Sequence, residues 1–160
     1  MMIRNYKPSD LQTLRQITAT CFEKGSIDKN IEDQFGRIGD MGWEKRKMSH
    51  IDDDAAANPD GIFVAEVEGE IAGYITTRIN HSTQIGGIPN LAVLPQFQRR
   101  GIGRQLIEKA LVYLQAEGML YARIETLEQN PVGTSFYPAM GFTEIATQIH
   151  YIQPLSKLKA

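Results

Sequence analysis

Cysteine is almost missing from this chain: Cys21 is the single one in 160 residues. That excludes an intramolecular disulfide and a zinc site built from several thiolates, and it fits a reducing compartment. No apolar run approaches the ~20 residues that a membrane-crossing helix needs, and the opening MMIRNYKPSD carries no apolar leader segment. Positive charge is not in surplus either. With 17 basic and 19 acidic side chains the net charge is −2, so neither nucleic acid nor an anionic membrane surface is expected as the main partner. There is no G-x-x-x-x-G-K-[ST] phosphate loop, no complete dinucleotide fingerprint, no internal repeat, no low-complexity tract and no linker. What remains is 42% hydrophobic and 22% charged, the composition of a soluble globular protein with a real core. A single domain over residues 1–160, in the cytoplasm, is the expectation.

Periodicity divides the chain into elements. Residues 2–6 suit a short strand closed by Lys7-Pro8. Ser9 and Gln12 form a capping-box pattern, and Leu11, Leu14, Ile17, Cys21 and Phe22 recur at helical spacing, which predicts a helix over about 10–22 with Cys21 on its packed face. Residues 23–58 are broken by Gly25, Gly36, Gly39 and Gly42; Ile31, Phe35 and Ile38 suit one helical stripe, and Trp43 suits a second helix start. Asp52, Asp53 and Asp54 read as a helix-end or loop charge run, without the converging ligands a metal needs. Residues 61–67 and 71–79 predict a hairpin around Gly69. A strand over 85–94 contains Gly86, Gly87 and Pro89, which points to a bulge or to an edge that another backbone or a ligand approaches.

After Gly101 an amphipathic helix presents Ile102, Leu106, Ile107, Ala110, Leu111 and Leu114, with Gly118 as its stop, and residues 121–127 give the next strand, parallel by a right-handed crossover. Asn130-Pro131 predicts a side-chain-capped helix entry, and Pro138 a short or kinked helix. Residues 142–152 alternate through Ile145, Thr147, Ile149 and Tyr151, which predicts one or two final strands.

Residues 91–103, LAVLPQFQRRGIG, organise the rest. An apolar strand ends at Pro95, and two glycines spaced G-x-G open the long helix. The first N–H groups of a helix have no intrahelical partner and carry partial positive charge, so an anion satisfies both. Gly101 and Gly103 allow close approach or positive φ, and Arg99, Arg100 and Arg104 add fixed charge.

Gln98, Gly101 and Gly103, as Q-x-x-G-x-G directly after Leu91-Ala92-Val93, resemble the acyl-CoA pyrophosphate loop of the GNAT superfamily of N-acetyltransferases. Residues 130–142, NPVGTSFYPAMGF, are similar to that family's N-x-x-A-x-x-(L/F)-Y-x-x-(L/M)-G-F segment. The resemblance implies an α+β (α/β) fold: a mixed, mostly antiparallel twisted sheet of six or seven strands with about four helices, whose central parallel pair splays to hold acyl-CoA. It implies acetyl-CoA as cosubstrate, without a metal. The cofactor contacts would come from Leu91, Ala92, Val93, Gln98, Arg99, Arg100, Gly101, Ile102, Gly103, Arg104, Asn130 and Tyr137. It also implies an amine-bearing acceptor, met by the variable residues 23–58 and the strand around Tyr74, and it leaves room for a homodimer.

Transfer to an amine needs an oxyanion stabilised and a proton for the departing thiolate. Main-chain N–H groups at Leu91 and Val93 suit the first task. For the second, a phenol of pKa ~10 can protonate a thiolate whose thiol has pKa ~8.5, and Tyr137 is the expected catalytic acid. The acidic base that several relatives carry is replaced here by Gly87, and Gly133 stands where alanine is usual, a small change expected to matter little. His81, Glu125, Glu66 or a water relay are open alternatives for the base. Two functions follow: direct acetyl transfer through a tetrahedral intermediate to an unidentified small molecule or protein amine, or a non-catalytic acyl-CoA-binding or sensing module.

Overall fold

A computed structural model describes residues 1–158. In chain order the main elements are β1 (Met2–Asn5), α1 (Leu11–Cys21), α2 (Ile27–Phe35), α3 (Trp43–Ala57), β2 (Phe63–Val67), β3 (Glu70–Ile75), β4 (Ile85–Ile88), β5 (Leu91–Val93), α4 (Ile102–Ala116), β6 (Tyr121–Ile124) and α5 (Pro131–Ala139). β1, β2, β3 and β5 form an antiparallel sheet in that order, and β4 pairs in parallel with β6. The α+β class and the mixed, mostly antiparallel sheet are those expected.

The sheet separates two apolar layers because side chains on a strand alternate faces. From β2, Phe63 and Ala65 pack towards Ile102, Leu106, Ile107, Ala110 and Leu114 of α4, while Val64 packs with Leu14, Ile17 and Ile51 of α1 and α3. Each such side chain, fully buried, stabilises the fold by roughly 1.5–3 kcal/mol. The α4 stripe is the one read from the sequence, and Gly118, at φ +87°, ends the turn after it. The hairpin turn uses Glu68 and Gly69 at φ 52° and 81°, the paired left-handed conformation that a two-residue turn favours.

Four expectations are corrected. The entry to α1 is held by Asp10, whose carboxylate accepts from the Lys7 N–H at 2.8 Å and from Arg4, while Ser9 lies inside a 3-10 turn. The strand expected over 85–94 is divided: β4 leaves off at Ile88 and β5 starts at Leu91 in the other sheet. Pro89 has no N–H for a ladder, so the break falls where the sequence weakens pairing. Asn130 does not cap α5; its amide donates to Thr126 Oγ1 at 3.2 Å. Residues 142–152 form no strand: among the described residues, the main chain of 143–153 makes no hydrogen bond, and the segment is exposed throughout. An alternating pattern makes a strand only where a second strand meets it.

Candidate functional site

The site starts from the divided strand. β4 and β6 stay in register from Ile85 opposite Tyr121 to Ile88 opposite Ile124. Beyond that point the chain turns at Pro89-Asn90 and follows β3, whereas residues 125–127 take up no strand, so the sheet opens between them. Which main-chain groups face this gap follows from the ladder. Thr76 N–H donates to Asn90 C=O at 2.9 Å and Leu94 N–H to Ala72 C=O at 2.8 Å. In an antiparallel pair, hydrogen-bonded and non-bonded positions alternate, so Ala92 is bonded to Tyr74, and the N–H groups of Leu91 and Val93 turn away from β3. Ala92, expected among the cofactor contacts, is thus 4% exposed and committed to the sheet. Leu91 and Val93 present the free groups expected of them.

The strand break is held by a polar cluster that the sequence reading did not assign. Asp54, buried on α3, accepts from Thr76 Oγ1 at 2.8 Å, from Asn90 Nδ2 at 2.7 Å and from Arg78 Nη2 at 2.8 Å. Lys47, two helical turns earlier on α3, donates to Asn90 Oδ1 at 2.9 Å and lies 4.3 Å above the Phe22 ring. Burial draws its ammonium pKa below the ordinary value, partly offset by Asp28 and Asp54. Lys47, His50, Asp53, Asp54, Arg78, Pro89 and Asn90 border a depression of about 230 Å³ beside the break. The i,i+7 spacing of Lys47 and Asp54 was visible; their common partner, Asn90, was not. A depression of about 400 Å³ bordered by Glu32, Arg37 and Lys45 shares no residue with the gap or the glycine loop.

Past β5, a 3-10 turn (Pro95–Phe97) leads into the loop. Gln98, itself exposed, donates its side-chain N–H to Val93 C=O at 2.9 Å, which fastens the loop to β5. Arg99 has φ 63° and Gly101 φ 78°, and a side chain at Gly101 would meet nothing within 4 Å. The two glycines therefore differ. Gly101 supplies a left-handed helix entry onto open space, whereas Gly103 makes room for Phe136, whose ring lies 3.3 Å from where its Cβ would be. The first bond into α4 runs from Gln105 N–H to Gly101 C=O at 3.1 Å, which leaves the N–H groups of Ile102, Gly103 and Arg104 without helical acceptors. The side chain of Ile102 itself is in the core. Arg99, Arg100 and Arg104 are exposed around this turn.

Tyr137 sits on α5, its ring edge-on to Phe136 at 5.6 Å and to Phe142 at 6.1 Å. Burial pushes its phenol up to about 12, so it keeps its proton through the physiological range. Asn130 lies two turns earlier, tied to Thr126. Gly133 between them is buried, and a Cβ there would stand 2.3 Å from Thr126 Oγ1, so alanine does not fit without displacement. The sequence reading, which took that difference as slight, is corrected.

The candidate bases are dispersed. Glu66 is paired with Arg4 at 2.8 Å, His81 lies in an exposed turn, and Glu125 is exposed just beyond β6. Gly87 faces Arg78, exchanging main-chain bonds of 2.8 and 2.9 Å. Tyr74 is wholly buried with its hydroxyl 2.6 Å from Thr18 Oγ1, which removes it from any acceptor surface. Cys21 donates to Val93 C=O at 3.5 Å, and burial raises its thiol to about 11, as befits a packing residue and not a nucleophile. Among the described residues no three His, Cys, Asp or Glu side chains converge on a metal position, and no helix is long and apolar enough to cross a membrane.

A gap of unpaired strand N–H groups leading into a bare helix N-terminus is the surroundings that a long, phosphate-bearing thioester requires. A family model described as the acetyltransferase (GNAT) family matches residues 12–142. The chain is 32% identical over 94 residues to a mycothiol acetyltransferase of Streptomyces griseus, covering 59% of this chain and 31% of that one. It is 33% identical over 104 residues to an N-alpha-acetyltransferase of Sulfurisphaera tokodaii, covering 56% and 60%. It therefore spans about a third of the length of the mycothiol acetyltransferases it matches. In structure it is similar to the PaiA N-acetyltransferase of Thermoplasma acidophilum, solved in complex with coenzyme A, with TM-score 0.74, 21% identity and 92% of each chain covered.

Proposed function

The chain belongs to the acetyltransferase (GNAT) family, and from that premise we propose that it transfers an acetyl group from acetyl-CoA to a primary amine of a small molecule or a protein. The observation that carries the reading is the strand gap whose free Leu91 and Val93 N–H groups lead into the unpaired first turn of α4. Acetyl-CoA supplies the activated acyl group. The N–H groups of Ile102, Gly103 and Arg104, with Arg99, Arg100 and Arg104 around them, hold its pyrophosphate, and Gly101 leaves the space it needs. Leu91 and Val93 N–H donate along the gap to the pantetheine amide and the acyl oxygen, where two fixed donors favour developing negative charge. Tyr137, protonated at neutral pH, returns a proton to the sulfur as the C–S bond breaks, and water restores the proton to the phenolate. Asn130 flanks the same wall.

The acceptor enters from the α3 side, beside Lys47, His50 and Asp53 at the strand break. The reading fits both a small-molecule amine and a protein amino group as acceptor. Residues 1–160 act as one acetyltransferase domain, and the cytoplasm supplies its cosubstrate.

An amine attacks only when neutral. With glycine at position 87, the proposal gives its proton to water and not to a side chain. Thiol release measured against a panel of primary amines tests the function. Release with at least one amine well above hydrolysis is expected, and kcat/KM should rise with pH towards the acceptor's own pKa. Tight acetyl-CoA binding with no release for any amine would favour a binding module instead. A pH profile levelling near pH 6–7 would show a side-chain base.

A further inference from the structure

Around the strand break most charges cancel in pairs. Asp28 meets Arg46 at 3.4 Å and lies 3.9 Å from His50, and Asp54 meets Arg78 at 2.8 Å. Asp54 has no capacity left for another cation: its Oδ1 accepts from Nε and Nη2 of Arg78, and its Oδ2 from Thr76 Oγ1 and Asn90 Nδ2, which fills the lone-pair sites of a carboxylate. Lys47 is left over. Its ammonium donates to the neutral Asn90 Oδ1 at 2.9 Å and lies 4.3 Å above the Phe22 ring, and among the described residues no carboxylate pairs with it. The residue is half-buried. A cation withdrawn from water without a counter-charge is unfavourable, which is why burial draws its pKa down, and an anion brought beside it would relieve that penalty.

The ammonium is also well placed. Asp54 holds the Asn90 amide by its Nδ2, so Oδ1 is kept for Lys47. Asn90 immediately precedes Leu91, whose N–H turns into the gap, so Lys47 is anchored one residue, ~3.8 Å of main chain, from a donor proposed for the acyl oxygen. Lys47 and Arg78 border the same depression of about 230 Å³, and Arg78 keeps Nη1 uncommitted among the described residues. An ammonium carries three N–H donors, of which Asn90 uses one. His50 and Asp53, the other ionisable groups on this rim besides Asp54, are exposed, where water and salt screen them.

We propose that Lys47, with Arg78 beside it, receives a carboxylate of the acceptor, and that the acceptor is an amino acid whose amine reaches the gap while its carboxylate stays at the strand break. The inference rests on the acetyl-transfer reading above and adds to it a class of amine. A carboxylate accepts from two donors at once, and charge-assisted bonds of this kind are the strong ones. The depression is smaller than the ~300–1,000 Å³ of drug-sized ligand sites, which suits a small acceptor. An amine with no anionic group leaves the Lys47 charge uncompensated, and one with a second ammonium there is repelled by it, so the same residue selects against both.

Thiol release from acetyl-CoA, measured with free amino acids, their amides and the matched amines lacking the carboxyl group, tests the subsite. For an amino acid kcat/KM should exceed that of its amide by at least about tenfold, although the less basic amine of the amide is more often neutral. Lys47→Met should remove this preference, raising KM for the amino acid about tenfold or more with little change in kcat, while the amide changes by less than about threefold. Calorimetric affinity for acetyl-CoA should stay as it is, which separates the loss from damage to the strand break. If the variant fails to fold or loses its cosubstrate, the native protein decides: propionate should compete with the amino acid and not with acetyl-CoA. Release from amines without preference for the carboxylate, a preference that survives in folded Lys47→Met, or no competition by propionate would overturn the subsite and leave acetyl transfer standing. Release from no amine at all would remove both.

Discussion

At the scale of single residues, Tyr137 and Gly133 face each other's tests. Tyr137→Phe keeps the ring that packs on Phe136 and Phe142 and removes only the hydroxyl. General acid catalysis contributes ~10²–10⁴-fold whereas a neutral hydrogen bond is worth about 1 kcal/mol. The variant should therefore lose about 10²-fold in kcat with less than about tenfold change in acetyl-CoA affinity. Equal losses in steady-state turnover and calorimetric affinity would make the hydroxyl a binding contact. Gly133→Ala forces a Cβ towards Thr126 Oγ1, 2.3 Å away, and overpacking of this kind costs about 1–3 kcal/mol. Thermal or denaturant unfolding should record that loss, and Thr126→Ala in the same chain should recover part of it. No loss in the single variant would show that Thr126 moves aside freely. The motif around Asn130 and Tyr137 was legible as a pattern. The reason for glycine at 133 was not, since it lies in a contact seven residues back along a loop.

At the scale of elements, the chain displays its helices more openly than the positions where they meet. The apolar stripe of α4, its glycine entry and its Gly118 stop are all local, and so was the weakness of the strand around Gly86, Gly87 and Pro89. α2 and α3 were obscured by glycines and by charge. Asp54 looked like one of three loop acids because its partners, Thr76, Arg78 and Asn90, come from strands distant in sequence. Its removal is the test at this scale. Asp54→Ala leaves the donors of Thr76 and Asn90 without their acceptor, and an unsatisfied buried group costs about 1–3 kcal/mol, more where charge is involved. Unfolding free energy should fall by at least about 2 kcal/mol. Acetyl-CoA affinity should fall as well, because Asp54 holds the turn that aims Leu91 into the gap. A variant destabilised without loss of affinity would separate the cluster from the site.

For the whole molecule, two halves meet at the opened sheet. On the proposed reading the cofactor would lie against β5, the glycine loop, α4 and α5 and the acceptor against α1 to α3, with Lys47 and Asp54 reaching across to Asn90. The alternation of the last segment was legible, but among the described residues no strand meets it, so the expected strand does not form. The central claim is that the gap and the α4 N-terminus hold acetyl-CoA, and Gly101 gives the most direct access to it. Gly101 adopts φ 78° with open space beside it, so valine there places a side chain in the space proposed for the phosphates. The left-handed conformation costs a non-glycine residue roughly 1–2 kcal/mol, which a folded domain of this size tolerates. Calorimetric titration of acetyl-CoA into the native protein and into Gly101→Val, with circular dichroism confirming the fold of both, is the decisive measurement. The native chain should bind one equivalent and the variant should bind at least about tenfold more weakly, a loss of about 1.4 kcal/mol or more. Undiminished affinity in the folded variant would place the cofactor elsewhere and contradict the account.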